Sequence, residues 1–234
     1  MTIEQIINKI NNLPLDCIQI VESIQTNSIA VTDLDNLSNL IELIVISGFS
    51  EGSFERNKKV LFANNSRNFP LDKFKKIHLV KFTDDIVYNL HQEIFKSSYA
   101  SDSEILENIL YKKCGEILFD KLHKNSVYSV LAKSTGAGPA IFMCDSHPEI
   151  LSGLNLFAPG VRFIHKAIDK VSDSFPRTIV GWNSDDTKVK LVDVWFNLNK
   201  ILPDETILFS YYSDQNKSFD TQHEINSEFF DKII

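Results

Sequence analysis

The residue best placed to act as a nucleophile is Ser134, in the stretch SVYSVLAKSTGAG from Ser126 to Gly138. Val127, Tyr128, Val130 and Leu131 have the β-branched, aromatic and aliphatic character of a core strand, and small residues, Ala132, Gly136, Ala137 and Gly138, surround Lys133-Ser134-Thr135. A serine hydroxyl attacks carbonyl carbon only when a base takes its proton. A strand-to-helix turn tight enough to push that hydroxyl out of a sheet strains the backbone, and the residues two before and two after it come so close that only Gly or Ala fits. Ala132 and Gly136 occupy those places. A helix from roughly Gly136 to His147 would aim its unpaired N-terminal amides at the negative charge of an attacked carbonyl, with Pro139 tolerated in its first turn. Ala-Lys-Ser also echoes the Gly-Lys-Ser of a phosphate loop. That motif needs a glycine where this chain has Val127, and a flexible loop where it has a strand.

A-K-S-T-G, residues 132–136, resembles the G-x-S-x-G nucleophile elbow of the α/β-hydrolase family, with Ala132 in place of the first glycine. The longer run from Leu131 to Gly160, LAKSTGAGPAIFMCDSHPEILSGLNLFAPG, is similar to that family's elbow strand, elbow helix, histidine-proline-glutamate turn and next core strand. The resemblance implies further roles. Where the family has His-Gly after an earlier strand, this chain has Ser47-Gly48-Phe49, so the amide of Phe49 is the implied oxyanion donor, with the Thr135 amide as the second. The family's acid follows a later strand in G-x-x-D or a near variant, three residues before a valine, and Asp186 has that spacing to Val189. Asp185 is the alternate, since a one-residue shift in the turn would exchange them. An acid there holds a histidine in the tautomer that leaves its other nitrogen free as a base. The paired aspartates can also be read as capping a helix that begins near Lys188.

His223 is the only histidine after Asp186, so Ser134, Asp186, His223 follows the family's chain order. The other five histidines fit less well. His78 lies inside a strand, His91, His123 and His147 sit on or beside helices, and His165 precedes a lysine in a short connection; none forms the close pair a metal site needs.

The 234 residues carry a formal charge of −7 and are 43% hydrophobic, which suits one compact domain and disfavours a nucleic-acid partner. Cys17, Cys114 and Cys144 are odd in number and far apart, so they imply reduced thiols and neither a disulfide framework nor a zinc site. Glu4 stands where a leader would be basic, and no apolar run approaches ~18 residues; a soluble, cytoplasmic protein without a membrane partner is expected.

The supporting elements alternate. Thr2 with Gln5 forms a capping-box pattern before a helix whose Ile3, Ile6, Ile7 and Ile10 share a face and which ends at Pro14. Cys17–Val21 and Ile29–Thr32 read as edge strands, Ile41–Ser47 as a doubly buried strand, Ile77–Phe82 as the next, and Ser103–Leu122 as a helix with Ile105, Ile109, Cys114, Leu118 and Leu122 near one face. Between them, Ser50 to Arg67 reads as a loop or short helix. Leu151–Phe157, Arg177–Trp182 and Thr206–Tyr211 complete the strands, followed by a polar loop, Ser213–Gln222, and a terminal helix. The connection from Ala158 to Phe175 is too short for a separate cap.

The expectation is an α/β fold with a mostly parallel central sheet of about seven or eight strands flanked by helices, of the α/β-hydrolase type without a large cap domain, made by residues 1–234 as a single domain. Residues 1–40 supply the N-terminal helix and edge strands. The resemblance implies a Ser134-His223-Asp186 triad that hydrolyses a small carboxylic ester or thioester through an acyl-enzyme, with no cofactor and no metal. Phe49, Phe163 and Trp182 are expected beside a modest acyl group. A binding protein that no longer turns over substrate, suggested by Ser47 and Ala132, and a peptidase with the same triad are the alternatives.

Overall fold

The computed structural model describes residues 2–25, 41–50, 52–62, 74–96, 100–212 and 223–233. In chain order the main elements are α1 (Ile3–Asn11), β1 (Ile18–Gln25), β2 (Ile41–Ile46), α2 (Ser53–Phe62), β3 (Phe74–Phe82), α3 (Asn89–Lys96), α4 (Ala100–Asp120), β4 (Tyr128–Lys133), α5 (Ala137–Ser146), β5 (Leu151–Phe157), β6 (Arg177–Asn183), α6 (Leu191–Ile201) and β7 (Ile207–Tyr211). The strands form one seven-stranded sheet in the order β1-β3-β2-β4-β5-β6-β7. Among the described strands only β1 runs antiparallel, against β3; the other pairs are parallel. Burial on both faces explains why β2 and β4 are nearly continuous apolar runs, since helices cover a parallel sheet on either side.

Several local expectations shift. The capping box of α1 forms and Ile6 and Ile10 are buried, but Ile3 is exposed. On α4 the inward face carries Leu106, Leu110, Tyr111, Cys114, Ile117 and Leu118, whereas Ile105 is 58% exposed. The helix expected near Lys188 starts at Leu191, and the terminal helix is a 3-10 segment, Ser227–Lys232. The polar segment after Phe49 contains α2, anchored by buried Phe54. Ile29–Thr32 and Ser213–Gln222 lie outside the described residues.

Two glycines let α4 and α5 approach each other closely. A Cβ on Gly115 would lie 2.8 Å from the Pro139 carbonyl oxygen, and one on Gly138 would lie 2.3 Å from the Tyr111 ring. A helical glycine costs roughly 0.5–1 kcal/mol relative to alanine, so both are retained against propensity by this contact. The consequence is a buried α5, whose residues Ala137 to Cys144 are all shielded from solvent and fix the helix directly behind Ser134.

Candidate active site

The ends of β2, β4 and β6, and the chain after β7, bring the candidate residues to the carboxyl edge of the sheet, where ligands of open parallel sheets bind. Ser134 follows β4 with φ of 55°, one of two non-glycine residues with positive φ among those described. Such a backbone is unfavourable for serine and persists only where the surroundings impose it. The neighbours supply that constraint. Ala132 pairs with Ile46 and is fully buried. Gly136 abuts the end of β2, where a Cβ would stand 2.3 Å from the Ser47 carbonyl oxygen. Gly160, after β5, donates its N–H to the Ser134 carbonyl at 2.9 Å and so holds the strained peptide from behind.

The loop after β2 has support that the sequence did not reveal. Ser47 Oγ accepts from Asn57 Nδ2 at 3.3 Å, and the Gly48 N–H donates to Ser53 Oγ at 3.1 Å, so α2 fastens the loop where the family has a histidine. The Phe49 N–H points at the elbow and donates to Thr135 Oγ1 at 2.8 Å. Its side chain, however, is 1% exposed and packs edge-on against Phe82, and Trp182 is fully buried with Nε1 bonded to the Val189 carbonyl. Both rings are therefore core, a correction to their expected place beside an acyl group; each is driven inward by its large apolar area. Phe163 is half-buried, and its carbonyl accepts from Asn108 Nδ2.

Asp186 and His223 meet. His223 Nδ1 lies 2.6 Å from Asp186 Oδ2, and a carboxylate partner makes Nδ1 the donor, so that in the neutral ring Nε2 is the nitrogen with the free lone pair. Asp186 Oδ1 accepts the amides of Lys188 and Val189 at 2.9 and 3.1 Å, so this carboxylate both closes its own turn and orients the histidine. Asp185 is half-buried beside it. His223 is itself anchored from β6, because Asn183 Nδ2 donates to the Glu224 carbonyl at 3.0 Å and Ile225 and Phe229 are buried beneath. Ser134 is half-buried, and among the described residues its hydroxyl makes no hydrogen bond to His223. The structure thus joins acid and histidine and places the strained serine at the same sheet edge.

Lys133 and Glu107 are polar groups beneath the site that the sequence did not single out. Lys133 is 4% exposed, and burial pulls its pKa down to about 8 despite the opposing charges of Glu224 and Asp186. Lys133 shares the motif with Ser134, but a lysine is read as solvated unless something shows its burial. The three cysteines are buried, and burial raises their thiol pKa values, that of Cys17 to about 11, which keeps them protonated and unreactive. Among the described residues no cluster of three or more His, Cys, Asp or Glu side chains is arranged to hold a metal, and no helix is long and apolar enough to cross a membrane.

No family model and no curated protein matches the chain. Solved structures do. Est1E from Butyrivibrio proteoclasticus, with ferulic acid bound, is similar over 94% of this chain and 96% of its own, at 10% identity and a TM-score of 0.56. A predicted CIB-like hydrolase from Thermoplasma acidophilum is similar over 90% of this chain and 93% of its own, at 16% identity and a TM-score of 0.53. The similarity spans nearly the whole chain, and the mostly parallel seven-stranded sheet with flanking helices agrees with it: the chain has the α/β-hydrolase fold.

Proposed function

We propose that this protein is a serine hydrolase that cleaves a small carboxylic ester or thioester through an acyl-enzyme on Ser134. The observation that carries the proposal is the 2.6 Å bond between Asp186 and His223, at the sheet edge that also bears the serine with φ of 55°. His223 Nε2 takes the hydroxyl proton while Ser134 Oγ forms a bond to the carbonyl carbon, and the carbonyl electron pair moves onto oxygen. The imidazolium is stabilised by Asp186. Collapse of the tetrahedral intermediate breaks the bond to the leaving oxygen or sulfur, which receives the proton from His223; water, activated by the same nitrogen, then releases the acid. In Est1E a carboxylic acid, ferulic acid, is bound, which supports carboxylic esters as the class to try first.

The oxyanion would be held by the Thr135 amide and, on the side of Phe49, by the Thr135 hydroxyl that the Phe49 amide polarises. Because Thr135 Oγ1 already accepts from the Phe49 N–H, its own proton is left to donate outward, and the Phe49 amide acts through it. Thr135→Val should therefore lower kcat about 10²-fold while Thr135→Ser stays near wild type, measured on one activated ester.

The test is pre-steady-state hydrolysis of p-nitrophenyl esters and acyl thioesters of increasing chain length. A stoichiometric burst followed by slower turnover is expected, absent in Ser134→Ala. The reading of a binding protein without turnover has one observation in its favour, the lack of a hydrogen bond from His223 to the Ser134 hydroxyl among the described residues. Tight binding of an ester with neither burst nor turnover would establish it.

A further inference from the structure

Glu107, on α4, is a buried carboxylate that none of the roles above uses. It is 3% exposed, and its Oε1 accepts the Tyr111 hydroxyl at 2.8 Å and lies 3.3 Å from His91 Nε2. A carboxylate as partner makes His91 the donor. His91 is 4% exposed and Tyr111 fully buried. Taking a carboxylate out of water is costly unless donors meet it, so this arrangement is a specific one, and its consequence lies in what the two donors touch.

Both donors pack on Phe49. The Phe49 ring meets Phe82 at 4.5 Å, His91 at 5.2 Å and 90°, and Tyr111 at 5.8 Å between centroids. Two of these three aromatic walls are thus tied to the same carboxylate oxygen. Tyr111 also reaches the elbow directly. Its ring covers Gly138 in the first turn of α5, and its hydroxyl lies 3.3 Å from the carbonyl of Gly160, whose N–H holds the Ser134 carbonyl.

We propose that Glu107 is a positioning residue for the oxyanion side of the site. One carboxylate oxygen orients His91 and Tyr111, and through them fixes the Phe49 amide in front of the elbow and the Gly160 backbone behind it. The catalytic consequence rests on the hydrolase proposal; the geometric one does not.

The test compares Glu107→Leu, Glu107→Gln, Tyr111→Phe and the double variant E107L/Y111F in the full chain. Three quantities are followed: kcat and KM on one p-nitrophenyl ester, the rate of fluorophosphonate labelling, and amide hydrogen exchange at Phe49 and Gly160. Glu107→Leu should lower kcat and labelling rate about 10- to 100-fold with KM within about twofold, in the range typical of outer-shell groups. Glu107→Gln, which keeps an acceptor oxygen, should recover most of the loss. Tyr111→Phe should lower kcat by a smaller factor. The loss in the double variant should fall well short of the product of the single losses, because both changes remove the bond to the same carboxylate oxygen. Exchange at Phe49 and Gly160 should quicken while that at Leu156, inside β5, stays unchanged. Wild-type rates and wild-type exchange at both amides in folded Glu107→Leu would overturn the proposal. Should Glu107→Leu fail to fold, unchanged rates and exchange in Tyr111→Phe would do so. If the wild-type protein neither labels nor turns over ester, the hydrolase proposal falls, and the exchange at Phe49 and Gly160 alone decides the role of Glu107.

Discussion

Two histidine–carboxylate pairs in this molecule have the same 2.6 Å separation and lie toward opposite ends of the sheet. His223 and Asp186 meet at the carboxyl edge, in the loops after β7 and β6. His78 of β3 meets Glu42 at the start of β2, where Ser126 Oγ also donates to Glu42 at 3.1 Å and the Tyr128 ring lies 6.0 Å away. Hydrogen-bond length therefore does not distinguish a candidate catalytic pair from a structural one. The distinction is in what surrounds it. His78 bonds its carboxylate through Nε2 and has a side chain 4% exposed between strands. His223 uses Nδ1, which turns Nε2 away from the acid, and its side chain is 12% exposed at the sheet edge that also bears the strained Ser134.

The comparison breaks most visibly in rate. Removing the histidine of the carboxyl-edge pair, His223→Ala, should lower kcat by roughly 10⁴-fold or more, and Asp186→Asn should come close because it favours the wrong tautomer. His78→Gln should leave the kcat of folded protein within about twofold. A large loss in both would mean that the two pairs are not separate in function.

Stability should register the other pair. His78→Leu leaves Glu42 buried with one donor fewer and is expected to cost about 3 kcal/mol in denaturant unfolding. The pH dependence sharpens this. Burial alone would raise the Glu42 pKa, but the bonds from His78 and Ser126 outweigh it and hold the carboxyl below its ordinary value. A depressed carboxyl pKa contributes stability that is complete above the unfolded-state pKa and is lost as pH falls through the folded one. Melting temperature should accordingly fall more steeply below about pH 4.5 in the wild type than in His78→Leu.

The smallest expected effect concerns Lys133, buried beside the carboxyl-edge pair. Its folded pKa of about 8 lies below that of an unfolded lysine, so between the two values the unfolded chain binds more protons and stability rises with pH. Below about pH 8 both states are protonated and the burial cost is fully felt. Lys133→Met should therefore be more stable than wild type near pH 7, with the difference shrinking from about pH 8 to 10, as read from urea unfolding at each pH.

Most of the sheet was legible because parallel strands buried on both faces are short apolar runs, and the elbow was legible because its small residues are forced. Gly136 against the Ser47 carbonyl is the clearest instance. The contact between Asp186 and His223 was legible through chain order and spacing. What escaped had no one-dimensional signal. On α4 and just past its end, Cys114, Leu118 and Leu122 face inward as read and Ile109 packs against the core, but Leu106 is buried where Ile105 was expected, because overlapping stripes of that helix are apolar and only packing selects among them. Glu107 and Lys133 look like surface charges until the donors of one and the burial of the other are known. Phe49 and Trp182 were correctly placed along the chain but incorrectly directed, since a loop position does not say which way a ring turns.

The most direct test of the central claim is intact-mass measurement of fluorophosphonate labelling in wild type, Ser134→Ala, His223→Ala and His78→Gln. The account predicts one adduct per chain in wild type and His78→Gln, mapped to Ser134, and none in Ser134→Ala or His223→Ala over the same interval. Folded wild-type protein that takes up no label, or a Ser134→Ala variant that labels as well as wild type, would contradict it.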